Sequence, residues 1–164
     1  MIGCANRPGT VAPTVPTVTI VAPFNEAEAS KLLLAGTNSI KGNAFMRQRG
    51  GGVVTCAGAT VRLIPATGYA KERVQALYYG GATGSYIHRG LQINFAPDVA
   101  NYQNLLRTTK CDSTGNFQFE KVADGEFFIT VTVNWDIANS SQGGSLMNRL
   151  TVKGGESTSL VMSE

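Results

Sequence analysis

Between residues 108 and 135 apolar and polar positions alternate with period two, interrupted twice by tight turns. Phe117 and Phe119 flank Gln118; beyond them Phe127, Ile129, Val131, Val133 and Trp135 fall on one face, with Thr130, Thr132 and Asn134 on the other. Such alternation marks strands that bury one face. Asp112-Ser113-Thr114-Gly115 and Asp124-Gly125 separate the runs, because Asp and Ser side chains hydrogen-bond the backbone ahead of them and Gly accepts a positive φ. The stretch predicts three strands in an antiparallel meander, with Trp135 packed in the core rather than stacked on a ligand.

Similar periodicities, caps and turn residues place the other elements. Asn25 caps a short helix that carries Glu26 and Glu28 in its first turn and ends before Gly36. Residues 39–46 form a first core strand with a bulge at Gly42, and residues 53–66 form a second strand region that Pro65 ends or keeps at an edge. Val74, Leu77 and Tyr78 share one helical face, which predicts a short helix over residues 69–79 lying on the sheet. Residues 80–90 form a Gly-rich loop, residues 92–95 a short edge strand, and residues 98–106 a helical turn. The whole of residues 69–106 is a long excursion between two strands, the kind of segment that carries function. Residues 139–144 read as a polar loop, and residues 146–152 and 159–162 as a closing hairpin around Lys153-Gly154-Gly155-Glu156. About seven strands with short turns fit a two-layer all-β sandwich.

Composition agrees with that class. The 164 residues are 43% apolar, enough for a core in one domain of residues 25–164 with an appended segment of residues 1–24. The net charge of +3 is dispersed, and no basic stripe with interleaved aromatics points to nucleic acid. Gly50-Gly51-Gly52 lacks the helix, Lys and Ser or Thr of a phosphate loop. No apolar run approaches the ~20 residues of a membrane helix.

Cys56 and Cys111 each lie beside a predicted strand, and a disulfide between them would close a loop of about 55 residues, worth roughly 4 kcal/mol in the chain-entropy model. Two separate buried thiols are the alternative. Cys4 stands apart: Met1-Ile2-Gly3-Cys4-Ala5 resembles the end of a bacterial lipoprotein signal, which makes Cys4 a candidate lipid attachment site. Only three residues precede it, fewer than a full signal requires, and a chance Gly-Cys is the other reading. Prolines at 8, 13 and 16 keep the following segment extended, so it reads as a tether of roughly 50 Å. Its Thr and Val alternation near residues 15–21 would also let it pair as a strand with a neighbour.

Residues 36–45 (GTNSIKGNAF), Ala57-Gly58 leading into residues 61–67 (VRLIPAT), Thr109 through Asp112 to Gly115-Asn116-Phe117, and Asp124-Gly125-Glu126-Phe127 together resemble the carboxypeptidase regulatory-like domain. The resemblance implies a seven-stranded transthyretin-like (prealbumin-like) β-sandwich, an extracellular or periplasmic setting and an accessory role without catalytic residues. The cysteine pair and the 69–106 excursion depart from that pattern, so partners do not transfer with it.

His88 is the only histidine, which excludes a zinc hydrolase built on paired histidines and leaves no metal or cofactor expected. The urate-pathway hydrolases of transthyretin-like fold use several His and Arg and a Tyr-Arg-Gly-Ser ending, whereas this chain ends Leu160-Val161-Met162-Ser163-Glu164. Residue types alone permit a Ser/His/Asp arrangement, but His88 has no nucleophile motif beside it. Tyr78, Tyr79, Tyr86 and Tyr102 are candidate ligand-contacting aromatics for sugar binding, against the plainer reading that they cover the sheet. The leading expectation is a non-enzymatic, lipid-anchored lipoprotein, periplasmic or at the outer membrane, that acts as a protein-interaction and assembly module. A secretion or surface-filament complex is the expected setting, and self-association through edge strands or the tether is a further expectation. A carbohydrate-binding module of the cell surface is the alternative.

Overall fold

The computed structural model describes residues 15–87 and 93–164, leaving the Tyr86 and Ile87 side chains, Cys4 and His88 outside the described part. Two sheets enclose a core. One has five antiparallel strands in the order β5 (Thr83–Ile87), β10 (Ser140–Val152), β9 (Gly125–Ile137), β4 (Thr60–Pro65) and β7 (Arg107–Lys110). In the other, β2 (Asn38–Arg47) pairs in parallel with β11 (Ser157–Ser163) on one side. Its other side pairs with β8 (Asn116–Val122) and then β3 (Val53–Thr55), both antiparallel. With β1 (Thr17–Thr19) and β6 (Asn94–Ala96), eleven strands are present among the described residues rather than seven. The mostly β sandwich expected from the alternation is present, built from more strands, two of which, β9 and β10, run 13 residues each.

The buried faces follow the alternation. Phe117, Phe119, Phe127, Ile129, Val131 and Val133 all enter the core between the sheets, and Trp135 packs against it. The pairing, however, is not a meander. β7 joins β4, β8 crosses to β2 in the opposite sheet, and β9 returns between β4 and β10. Alternation states that one face is buried, and in a sandwich a strand satisfies that demand from either sheet. For the same reason the closing hairpin does not form: Lys153 to Glu156 carries the chain from β10 in one sheet to β11 in the other. A hairpin does form where a loop was predicted. Ala138 and Asn139 both take positive φ, 46° and 66°, closing a two-residue turn that extends β10 back to Ser140. Gly42 is not at a bulge; it lies opposite Phe117, whose ring occupies the space a Cβ would need.

Cys56 and Cys111 form the disulfide, with Cα atoms 5.8 Å apart. It links the end of β3 in one sheet to the end of β7 in the other, and both residues are buried in the shared core. The neighbouring corner is organised by Asp112. Its Oδ1 accepts from Thr114 N at 2.9 Å and Asn116 N at 2.8 Å, and its Oδ2 accepts from Asn116 Nδ2 at 3.1 Å. The Asn116 bonds foremost, with those from Thr114, hold the carboxyl at a pKa of about 2.

A second core lies on the outer face of the five-stranded sheet. Ile64, Phe128 and Met147 point away from the first core and are covered by Tyr69, Ala70, Val74 and Tyr78 of α2 (Gly68–Tyr78). Thr67 caps this helix, accepting from Ala70 N. Residues 15–24, read from sequence as part of an extended tether, dock here. β1 pairs in parallel with β6, Glu72 accepts from the backbone of Val21 and Ala22, and Phe24 packs edge-on against Tyr69 and Tyr102. The predicted edge strand at 92–95 is thus β6, whose partner is the N-terminal segment rather than either main sheet. Apolar Val18, Ile20 and Phe24 explain the docking, since each finds apolar surface there.

Arg73 locks the assembly. Its Nη1 donates to Tyr69 Oη at 3.0 Å and to Asp98 Oδ1 at 2.6 Å, and its guanidinium lies 4.0 Å from the Phe95 ring centroid and 4.8 Å from that of Tyr102. Tyr69 Oη in turn donates to Pro97 O and accepts from Val99 N. Burial disfavours the Arg73 charge, but the bonds to Asp98 and Tyr69 outweigh it and hold its pKa above the ordinary value.

Two outcomes follow from these contacts. Arg73→Lys keeps the charge but loses the planar stack and the fixed fork, so it should destabilise the fold by about 1–3 kcal/mol. Hydrogen exchange should show lost protection at Val99 and Ile20 while β9 is spared, and uniform loss across the sandwich would contradict this. For Asp112 the folded pKa lies below its ordinary 3.8, so its stabilising effect is full above that value and fades as pH falls through about 2. Urea titrations of wild type and Asp112→Asn should therefore differ at pH 6 and converge toward pH 2.

Candidate functional site

Between α2, the 3-10 turn at Ala100–Asn104 and the outer face of the five-stranded sheet lies a cavity of about 260 Å³. Ile64, Val74, Leu77 and Leu106 make its apolar part. Arg62, Arg73, Tyr78, Tyr102, Gln103 and Thr130 supply its polar groups. Each position has a local cause. Arg62 sits at an outward position of β4 and is paired in register with Thr108 of β7 and Thr130 of β9. Tyr78 is one of the inward residues of α2, and Tyr102 is drawn inward by the rings of Phe24 and Tyr69.

Burial pushes up the pKa of both tyrosines, that of Tyr102 to about 12. Ser145 hydrogen-bonds Tyr78 and the Arg62 charge acts on it, both opposing that rise. Both hydroxyls therefore keep their protons at neutral pH. Arg73 is committed to Asp98 and Tyr69. Arg62 and Gln103 make no hydrogen bond or ion pair among the described residues. The arrangement is an apolar floor beneath donors that are unspent, which suits a small ring with an apolar face and a polar rim.

Other hollows are larger but less suited to a ligand. One of about 510 Å³ runs over the uncovered face of the four-stranded sheet, past Lys41, Asn43, Asn116, Gln118 and Ser159. Its Asn43 and Asn116 amides are spent on each other, on Thr114 and on Asp112, where they build the corner. A second, of about 430 Å³, lies between β5, β10 and β11. Among the described residues no three His, Cys, Asp or Glu side chains come together as a metal site.

Of the aromatics singled out from sequence, Tyr78 and Tyr102 meet at the cavity. Both are buried, so neither offers the open ring face a sugar platform needs. The cause is the apolar sheet face beneath them, which the rings cover. Tyr79 is 89% exposed in a left-handed conformation that ends α2, and it does not line the cavity. The Tyr86 side chain lies outside the described part. Arg62, Arg73 and Gln103 were not anticipated. A signal for Arg62 exists in Val61-Arg62-Leu63-Ile64, a charge set within a strand that is otherwise apolar on both faces. No helix among the described residues is long and apolar enough to cross a membrane.

No protein-family model matches the chain, and no curated protein matches it in sequence. A solved structure does resemble it: a Pseudomonas aeruginosa protein provisionally described as carbohydrate binding superposes with a TM-score of 0.68 at 21% identity, over 86% of this chain and 97% of that one. At that identity the likeness establishes a shared fold.

Proposed function

We propose that the chain is a non-enzymatic, extracytoplasmic binding module of the bacterial cell envelope, and that its ligand is a carbohydrate held in the cavity under α2. The observation that carries this reading is the coincidence of apolar floor and unspent donors at Arg62 and Gln103. A saccharide ring has the matching character, with an apolar face and a rim of hydroxyls. The description of the Pseudomonas aeruginosa protein points to the same ligand class. A disulfide in a buried core accords with folding in an oxidising compartment. In this reading the sandwich is of the transthyretin-like, carboxypeptidase regulatory-like kind, and lipid on Cys4 tethers it to the membrane.

The protein-interaction role that led from sequence is the second reading. It is favoured by the face of the four-stranded sheet that the described residues leave bare, where Val53 and Val161 are 57% and 63% exposed, and by the edge of β11 that no described strand pairs.

A glycan array probed with purified protein, followed by titration calorimetry on the best glycan, separates the two. Gln103→Ala should weaken the glycan by about 1 kcal/mol, roughly fivefold, without moving the melting temperature. A mute array, together with an envelope protein crosslinked in intact cells and lost on Val161→Asp, would replace carbohydrate binding with the interaction role.

A further inference from the structure

We infer that the ligand of the cavity under α2 is an acidic sugar unit of the hexuronic acid class, and that Arg62 receives its carboxylate. The inference rests on the carbohydrate reading and narrows it. The cavity, at about 260 Å³, lies below the ~300–1,000 Å³ typical of drug-sized ligands, so it accommodates a single ring rather than a chain.

Charge selects among rings. Two arginines line the cavity; its lining holds no acidic residue, and Asp98, beside Arg73, is spent on that guanidinium. Arg62 is flanked in register by Thr108 and Thr130, and α2 turns Val74, Leu77 and Tyr78 toward it, none of them acidic. One positive charge at the cavity is left without a carboxylate among the described residues. The strand that carries Arg62 is paired on both sides, and a guanidinium's planar set of donors can receive a carboxylate through two parallel N–H···O bonds. Tyr102 and Gln103 then supply polar groups to the ring hydroxyls, while Val74 and Leu77 cover its apolar face.

The test is calorimetric titration of the full chain with galacturonate and glucuronate, with their neutral counterparts galactose and glucose, and with acetate. A uronate should bind about tenfold more tightly than its neutral counterpart at pH 7, the preference shrinking with added salt. Arg62→Gln, at an exposed strand position, should abolish the preference and leave the melting temperature unchanged. Equal binding of uronate and neutral hexose, or a preference that survives Arg62→Gln, would overturn the acidic-sugar assignment and leave carbohydrate binding standing. Acetate binding as tightly as uronate would show a general carboxylate site and remove the sugar from it. Silence from all five compounds would bring down the assignment and the carbohydrate reading together.

Discussion

Strand β9 must be covered on both faces, and most of the architecture answers that demand. Phe127, Ile129, Val131 and Val133 point into the space between the sheets, while Phe128 points the other way, beside Ile64 and Met147. The four-stranded sheet covers the first set. Covering the second requires something outside the sandwich, because a large apolar sheet face left in water forfeits roughly 25 cal/mol for each Å². α2 supplies that cover, and residues 15–24 together with the turn at Ala100–Asn104 close around it. The cavity exists because the helix and the turn meet over a twisted sheet without filling the gap at Arg62 and Thr130.

The two arginines at that gap illustrate different uses of one side chain. Arg73 is buried, and a buried charge is tolerable only when its donors are satisfied. Asp98 and Tyr69 satisfy them and the rings of Phe95 and Tyr102 flank its plane, so it ties α2 to the side chains of residues 95, 98 and 102. Arg62 is exposed and has no such partners among the described residues, so it is available to a ligand. Neither role follows from the residue type. Both follow from what the excursion brings near.

The opposite side of the molecule is organised by covalent and local constraints. The Cys56–Cys111 disulfide joins the two sheets next to the corner that Asp112 builds, so the end of the sandwich distant from α2 is closed by a crosslink and a hydrogen-bonded turn. Among the described residues this leaves the outer face of the four-stranded sheet as the broad uncovered surface. Its amides at Asn43 and Asn116 serve the corner, which is why a larger hollow there is the poorer ligand site.

Much of this was legible before any coordinates. The strand faces of β8 and β9, the Asn25 cap of the first helix, the helical turn near residue 100 and the turns at Asp112 and Asp124 are written in local patterns, since alternation, capping and turn chemistry depend on residues a few positions apart, and the cysteine pair was read from its placement beside strands. The assignment of β7, β8 and β9 to sheets was not, nor the crossing at Lys153, nor the docking of residues 15–24. The Ala138-Asn139 turn carries no glycine to announce it. Which sheet a strand joins is decided by partners tens of residues away, and the same alternation serves either choice. Tyr78 and Tyr102 were recognised as candidates by type, but only the tertiary structure turned their rings inward and set Arg62, Arg73 and Gln103 around them. Local periodicity determined which faces are buried; long-range packing alone decided what lies against them, and therefore where a ligand has room.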